Sequence, residues 1–461
     1  MTDVHTLDVP ALSLDVLSHG HILHALRATT DDNTTTDCLL GFANPADHHH
    51  SAARTFFNCV VGRYANRLPS GELRLDSGAK LTLPGAQGVC LHGGESGFDT
   101  LPWAPIARTD SALFPATDAD HPEAPPASDP TAPVSESSSL HRIYSPAGAD
   151  GFPCSLVVEA LCVVLAPKEG ETDVAGRKGR SLGKVKVVLR AKIREDGDEG
   201  ISKGTPVNLT MHWGFRLDDC KDKDVLGHSL YLASDKLVAL DDLGLATGKI
   251  DKIEEGGEMD FYTAGIEGPH VKIGERYPKE GIDRNFLFNT PPPSLVEPSS
   301  SARLSTEPQV ILTGPVPPSG SNTPQLSLRF TSNQPSAQVY TAPSLDGTGP
   351  ARKPAHGGPA LEKDKEDAAP TQSQDSPAEQ AARKEGYGAH AGVFIEFQAP
   401  VGAVQHCAGA GREKGNELEK WMEERARERK AEEEGRGWER DTVLHKGQIY
   451  ENWVEVEVVA L

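Results

Sequence analysis

The residues of this chain that could do chemistry lie in a few short stretches, beside glycines or at the ends of apolar runs. The first spans Asn58 to Trp103, NCVVGRYANRLPSGELRLDSGAKLTLPGAQGVCLHGGESGFDTLPW. In it Gly62, Arg63, Tyr64, Ala65, Asn66 and Arg67 set two polar forks beside a tight turn, and Leu91, His92, Gly93 and Gly94 follow a strand ending. Two glycines after a histidine let the main chain approach a ligand closely. Asn, Arg and His each present hydrogen bonds in a fixed plane, which suits a polyhydroxy ligand. Either tetrapeptide alone reads more simply as local turn chemistry, with Arg67 on a surface carboxylate.

Four more pieces follow in order. Val207–Phe215, VNLTMHWGF, is a β-like run ending in His212 with aromatics just after it. An ordinary histidine pKa of about 6.5 suits proton transfer near neutrality. A lone histidine in such a place is nonetheless more often structural. Next come Gly281–Phe286, GIDRNF, and Asn333–Thr341, NQPSAQVYT. The last is Gly392–Gln398, GVFIEFQ, which sets Glu396 between Ile395 and Phe397. Strand alternation either turns that carboxylate to solvent or buries it.

The elements that must position these groups read as short strands. SLVVEALCVVL, KVKVVLRAKI, HVKIG, QVILTG, LSLRF, AQVYT, GVFIEF and WVEVEVV alternate or run with β-branched residues, punctuated by Gly, Pro, Asp and Asn. Many such strands predict an all-β fold, a large antiparallel sandwich or barrel. Polar, Pro- and Ser-rich windows near 109–139, 168–182, 291–324 and 344–386 read as surface insertions, because they hold too little apolar area to offset ordering entropy. Residues 412–438 are rich in helix formers of alternating charge, with Leu418, Trp421 and Met422 at helical spacing, which predicts a solvated surface helix.

Composition narrows the function classes. Among 461 residues, 46 are basic and 67 acidic, for a net charge of −21. That charge disfavours nucleic acid and anionic membranes as partners. No run approaches the roughly 20 apolar residues that span a bilayer. The first residues lack a basic n-region, and the seven cysteines are dispersed without a CxxC pair, which reads as reduced thiols in the cytosol. His48, His49 and His50 read as a solvated loop rather than a metal site. AGAGREKG, starting at Ala408, only superficially resembles a phosphate loop, and no Rossmann fingerprint is present.

Taken in order, the five pieces resemble the galactose mutarotase (aldose 1-epimerase) family. Gly62–Arg67 is similar to its GR-x-ANR motif and Leu91–Gly94 to its LHGG motif. Thr210–Leu217 (TMHWGFRL) resembles TNH-x-YFNL, and Ile282–Phe286 (IDRNF) resembles Y-D-H-N-F. Gln334–Thr341 and Gly392–Glu396 are similar to its QP-x-x-Q-x-YT and late G-x-x-x-E motifs. The resemblance implies a single-domain β-supersandwich over 1–461, interrupted by the insertions, with the sugar in an open cleft. It implies His212 as general acid and Glu396 as general base, with Asn66, Arg67, His92, Asp283 and Gln338 binding the sugar, and no metal or cofactor. The implied reaction interconverts the α and β anomers of a hexose such as galactose or glucose. Met211, Gly214, Arg216 and Arg284 depart from the family pattern. Two alternatives follow from these departures: a non-catalytic carbohydrate-binding or regulatory protein on the same fold, or a hexose-6-phosphate mutarotase using Arg216 and Arg284.

Overall fold

A computed structural model describes residues 3–50, 54–115, 136–167, 179–194, 203–218, 224–289 (apart from 267 and 269), 307–319, 325–359, 384–428, 436–437 and 441–461. The described chain is mostly antiparallel sheet. The largest sheet runs in the order Ala104–Pro105, Glu136–Ser145, Leu156–Leu165, Arg180–Ile193, Ile449–Ala460, Leu326–Ser332, Val310–Thr313, Ser229–Leu232, Val271–Lys272. Arg436–Gly437 pairs parallel to the start of Ile449–Ala460. A six-stranded sheet runs in the order Trp213–Phe215, Val393–Gln398, Ser336–Tyr340, Asp283–Leu287, Lys236–Leu240, Ala246–Lys252. The first four strands of the chain, from Val4 to Asp37, form a separate meander.

Alternation in these strands explains the packing. Val185, Val187, Val456, Val458, Leu328 and Phe330 of the large sheet meet Trp213, Phe286, Val339, Ile395 and Phe397 of the six-stranded sheet in one core. Leu14, Val16, Leu23 and Leu26 of the meander join the same cluster. The predicted sandwich of large antiparallel sheets is therefore what forms.

The polar windows are wider than the loops they mark. Val310–Thr313 lies inside 291–324 as a central strand, and Arg180–Ile193 begins inside 168–182. Averaging over Pro and Ser hides a short apolar run that buries well. Residues 116–135, 168–178, 290–306, 320–324 and 360–383 of these windows and their borders fall outside the described residues. In the charged segment, Glu417–Glu428 is helical, and Asn416 Oδ1 caps it by accepting from the Glu419 N–H at 2.9 Å. Leu418, Trp421 and Met422 are buried on one face, so the short apolar stripe docks a surface helix, as its spacing suggests.

The three histidines also differ from the expected solvated loop. Asp47–His50 forms a helical turn. His48 is half-buried, its Nε2 3.2 Å from Nδ1 of His24, and His49 stacks on His19 at 3.9 Å. Beside them the return segment 342–358 is pinned to the meander. Lys353 is buried, donates to the carbonyls of His24 and Leu39, and lies 2.7 Å from Asp37. Lys353→Met leaves the largely buried Asp37 without its cation, though the Leu26 and Leu39 N–H groups still donate to it, so we expect a loss of about 2–3 kcal/mol in urea unfolding. An unchanged midpoint would show that Asp37 finds another partner.

Candidate active site

Three neighbouring strands of the six-stranded sheet supply Asp283, Gln338 and Glu396. Glu396 stands opposite Gln338, Gln338 opposite Asn285, and Asp283 opposite Tyr340. A period of two then places Asp283, Gln338, Tyr340, Phe394 and Glu396 on one face, while Val339, Ile395 and Phe397 point into the core. This resolves the ambiguity of Glu396: it is buried, 2% exposed, on the polar face. His212 precedes the edge strand Trp213–Phe215 and shares that face, while Met211 turns into the core.

The opposite wall comes from the N-terminal motifs. Arg67–Pro69 pairs with Val89–Leu91, which brings Asn66–Arg67 beside His92. Gly93 must be glycine: a Cβ there would lie 2.2 Å from the Gly62 carbonyl oxygen, at a φ of +85°. Close approach of these two backbones joins the two motifs. Arg63 stays out of the site, donating to the carbonyls of Ser145, Pro146, Pro153 and Cys154, so one polar fork is structural. Arg67, the other fork, reaches Asp283 at 3.1 Å.

Together these groups line a cleft of about 460 Å³, with Asn66, Arg67, His92, His212, Asp283 and Glu396 on its surface. Gln338 is not on that surface. It lies buried under Asp283 and donates to Oδ1 at 2.6 Å, so it orients the carboxylate that faces the cleft. Sequence reasoning passed over Arg54, Phe56, Tyr340 and Phe394, which also line the cleft. Tyr340 and Phe394 could have been found, since each is two residues from a candidate on the same strand. Phe56 could not: its ring enters from a turn with φ +54°.

His212 Nε2 lies 3.3 Å from Glu396 Oε1. Phe394, His92 and Phe56 surround the imidazole at ring separations of 5.0, 5.2 and 5.9 Å. Burial among these rings pushes His212 down to about 4, offset only in part by main-chain groups and Asp283. Burial, reinforced by the Asp283 charge, pushes the Glu396 carboxyl well above its ordinary range. Glu396 Oε2 has no partner among the described residues. Burial thus disfavours charge on both members, holding His212 towards its neutral form and Glu396 towards its protonated form, so a donor and an acceptor stand side by side. Donor atoms of His92, His212 and Glu396 all lie within 4.8 Å of one another, a set that by count could hold a metal ion.

The departures from the family pattern avoid the cleft surface: neither Met211, Gly214, Arg216 nor Arg284 lines it. A side chain at position 214 would meet the Phe394 ring at 2.4 Å, so Phe394 occupies the space that the family's tyrosine would need. Arg216 is buried against Asp218 at 2.7 Å, and Arg284 lies 3.3 Å from Asp251. Neither places a cation where a sugar phosphate could use it. Arg54, the other guanidinium at the cleft, is already held by Asp99 and the Gly94 carbonyl.

An antiparallel β-sandwich with a His–Glu pair at the base of a polar cleft defines a class, and comparison with known proteins supplies the family. The chain belongs to the aldose 1-epimerase family, whose model matches residues 3–124 and 181–379. Galactose mutarotase of Rattus norvegicus is 26% identical over 356 residues, covering 76% of this chain and 82% of its own. Aldose 1-epimerase of Escherichia coli K12 is 26% identical over 275 residues, 59% of this chain and 64% of its own. Among solved structures, an aldose epimerase homologue from C. elegans superposes with a TM-score of 0.61 at 16% identity, over 100% of both chains. Galactose 1-epimerase from Lactobacillus acidophilus gives 0.57 at 16% identity, over 98% of this chain and 93% of its own. The fold is that of the galactose mutarotases. Among the described residues no helix is long and apolar enough to cross a membrane, and the six described cysteines are all buried and outside any disulfide.

Proposed function

We propose that this protein is an aldose 1-epimerase that interconverts the α and β anomers of a free hexose such as galactose or glucose. The observation carrying this reading is the His212–Glu396 pair, 3.3 Å apart and buried at the base of a polar cleft. Anomers exchange through the open aldehyde. A base removes the proton of the anomeric hydroxyl while an acid protonates the ring oxygen. The bond from the anomeric carbon to the ring oxygen breaks as the carbonyl forms. Rotation presents the other carbonyl face, and closure returns both protons. The two oxygens sit on one carbon, so two adjacent proton-transfer atoms match them.

In this reading Glu396 is the base and His212 the acid. Burial favours the neutral pair while the cleft is empty. Sugar hydroxyls donating to the carboxylate favour moving the shared proton to His212, which arms the acid and the base together. Arg67, Asp283 and His92 would hold ring hydroxyls, so that only the reacting bond is free to move. The pair accounts for both proton transfers with side chains alone.

Polarimetry on fresh α-galactose and α-glucose tests the proposal, with glucose 6-phosphate beside them. We expect faster mutarotation of the free sugars, with little gain on the phosphate. Absence of acceleration on any aldose by the folded protein would leave a sugar-binding protein on the same fold.

A further inference from the structure

Asn66 and His92 close on each other through the main chain. The His92 N–H donates to the Asn66 carbonyl at 3.0 Å, and the Asn66 N–H donates to Nδ1 of His92 at 3.2 Å. Nδ1 must therefore accept, so it carries no proton, and the proton of the ring sits on Nε2. Both residues hold left-handed backbone, with φ +66° at Asn66 and +49° at His92. Asparagine is well suited to that conformation because its short amide can bond locally. Here Asn66 Oδ1 accepts from the Arg67 N–H at 2.9 Å. The amide oxygen thus holds the turn that aims the Asn66 N–H at His92.

We propose that Asn66 is a positioning residue that locks His92 as an Nε2–H donor, so that the cleft offers a hydrogen bond to a sugar oxygen where it could otherwise offer a lone pair to a metal ion. His92, His212 and Glu396 match the ligand types and number of a protein zinc site. A histidine that ligates through Nε2 must carry its proton on Nδ1. That proton would face the Asn66 N–H, with no acceptor between them. Ligation through Nδ1 would displace the same N–H. His92 therefore leaves the set, and two donors remain.

This proposal rests on the sugar-site reading, but its first test needs no turnover. Full-length protein labelled with 15N in its histidines would be read by long-range 1H–15N correlation at pH 7, with His92 assigned by its loss in His92→Gln. We expect the Nε2–H pattern, and no Zn²⁺ binding that His92→Gln removes. An Nδ1–H pattern, or one-to-one Zn²⁺ binding lost in His92→Gln, overturns the lock. An Nε2–H pattern in a chain without mutarotase activity sinks the mutarotase reading and leaves the lock standing. Both glycine and alanine keep the N–H, but only glycine adopts the left-handed turn freely. Asn66→Gly should keep the Nε2–H pattern and a kcat/KM roughly tenfold above that of Asn66→Ala. Equal losses in both variants, with the His92 pattern unchanged, would place the role of Asn66 in its amide contact with the sugar and overturn the proposal.

Discussion

Glu396→Gln is expected to lower the catalysed mutarotation rate by about 10³-fold, and His212→Asn by about 10²-fold or more, the range that positioned acid–base groups contribute. Gln keeps the shape of Glu and its place in the strand, but it cannot take a proton. Burial already disfavours the ionised carboxylate at this position. Removing that charge should therefore leave the unfolding midpoint unchanged or raise it. Loss of rate without loss of stability separates a chemical role from a structural one. His212 packs among three aromatic rings, so His212→Asn also leaves space. Its lost activity must be read beside its stability, and Glu396→Gln is the cleaner test. Wild-type rates in both variants would remove the pair from the chemistry.

The pair was only half legible in the sequence. Glu396 within VFIEF is equally consistent with a solvent-facing alternation until the neighbouring strands are placed. The register Gln338 to Glu396, with Val339 and Ile395 facing the core, decides it. His212 shows the same limit, because nothing local distinguishes an acid from a satisfied core histidine. The order of the five motifs carried the assignment, and the sheet then brought residues more than a hundred positions apart within 3.3 Å. The fold class was readable because it depends on a period of two, repeated in many strands. Loop residues were not. Gln338 reads as a sugar ligand in the sequence, yet as the diagonal neighbour of Asp283 on the same face it donates to that carboxylate instead of lining the cleft. Phe56 reaches the cleft from a left-handed backbone position that no propensity sets, and Arg54 enters from the same irregular segment.

Gly214 shows why a departure from a motif need not alter the site. Read alone, glycine in place of an aromatic suggests a hole beside the catalytic histidine. In the structure Phe394, from the adjacent strand, packs 5.0 Å from His212 and fills that space. The same aromatic surface is supplied from a different strand, so the polarity around His212 is preserved while the sequence pattern is lost.

Stability should fall steeply as pH drops from about 6.5 towards 4, because several histidines are buried neutral. His141, His212 and His356 are held at about 4 and His228 at about 3, in each case chiefly by burial. His21, His24, His48 and His92 are also pushed well below the ordinary value. In the unfolded chain each titrates near about 6.5. Below that pH the unfolded state binds protons that the native state refuses, so the free energy of unfolding falls as pH falls. Their full contribution is present above about 6.5 and is lost on the way down to the folded values. For the four groups with values near 4 or 3, the loss at pH 5 is about 2 kcal/mol each. Glu396 has the opposite sign. Its raised carboxyl takes up a proton in the native state first and so favours folding as pH falls. One carboxyl does not offset four imidazoles, and the summed loss is comparable with the whole stability of an ordinary domain, about 5–15 kcal/mol. Urea midpoints measured from pH 8 to pH 5 should therefore decline below about 6.5, with acid unfolding before pH 4. His141→Leu should flatten part of that slope, since both ring nitrogens of His141 are buried without a partner among the described residues. A midpoint constant between pH 7 and pH 5 would mean that water reaches these rings, and the dry environment ascribed to His212 would fall with it.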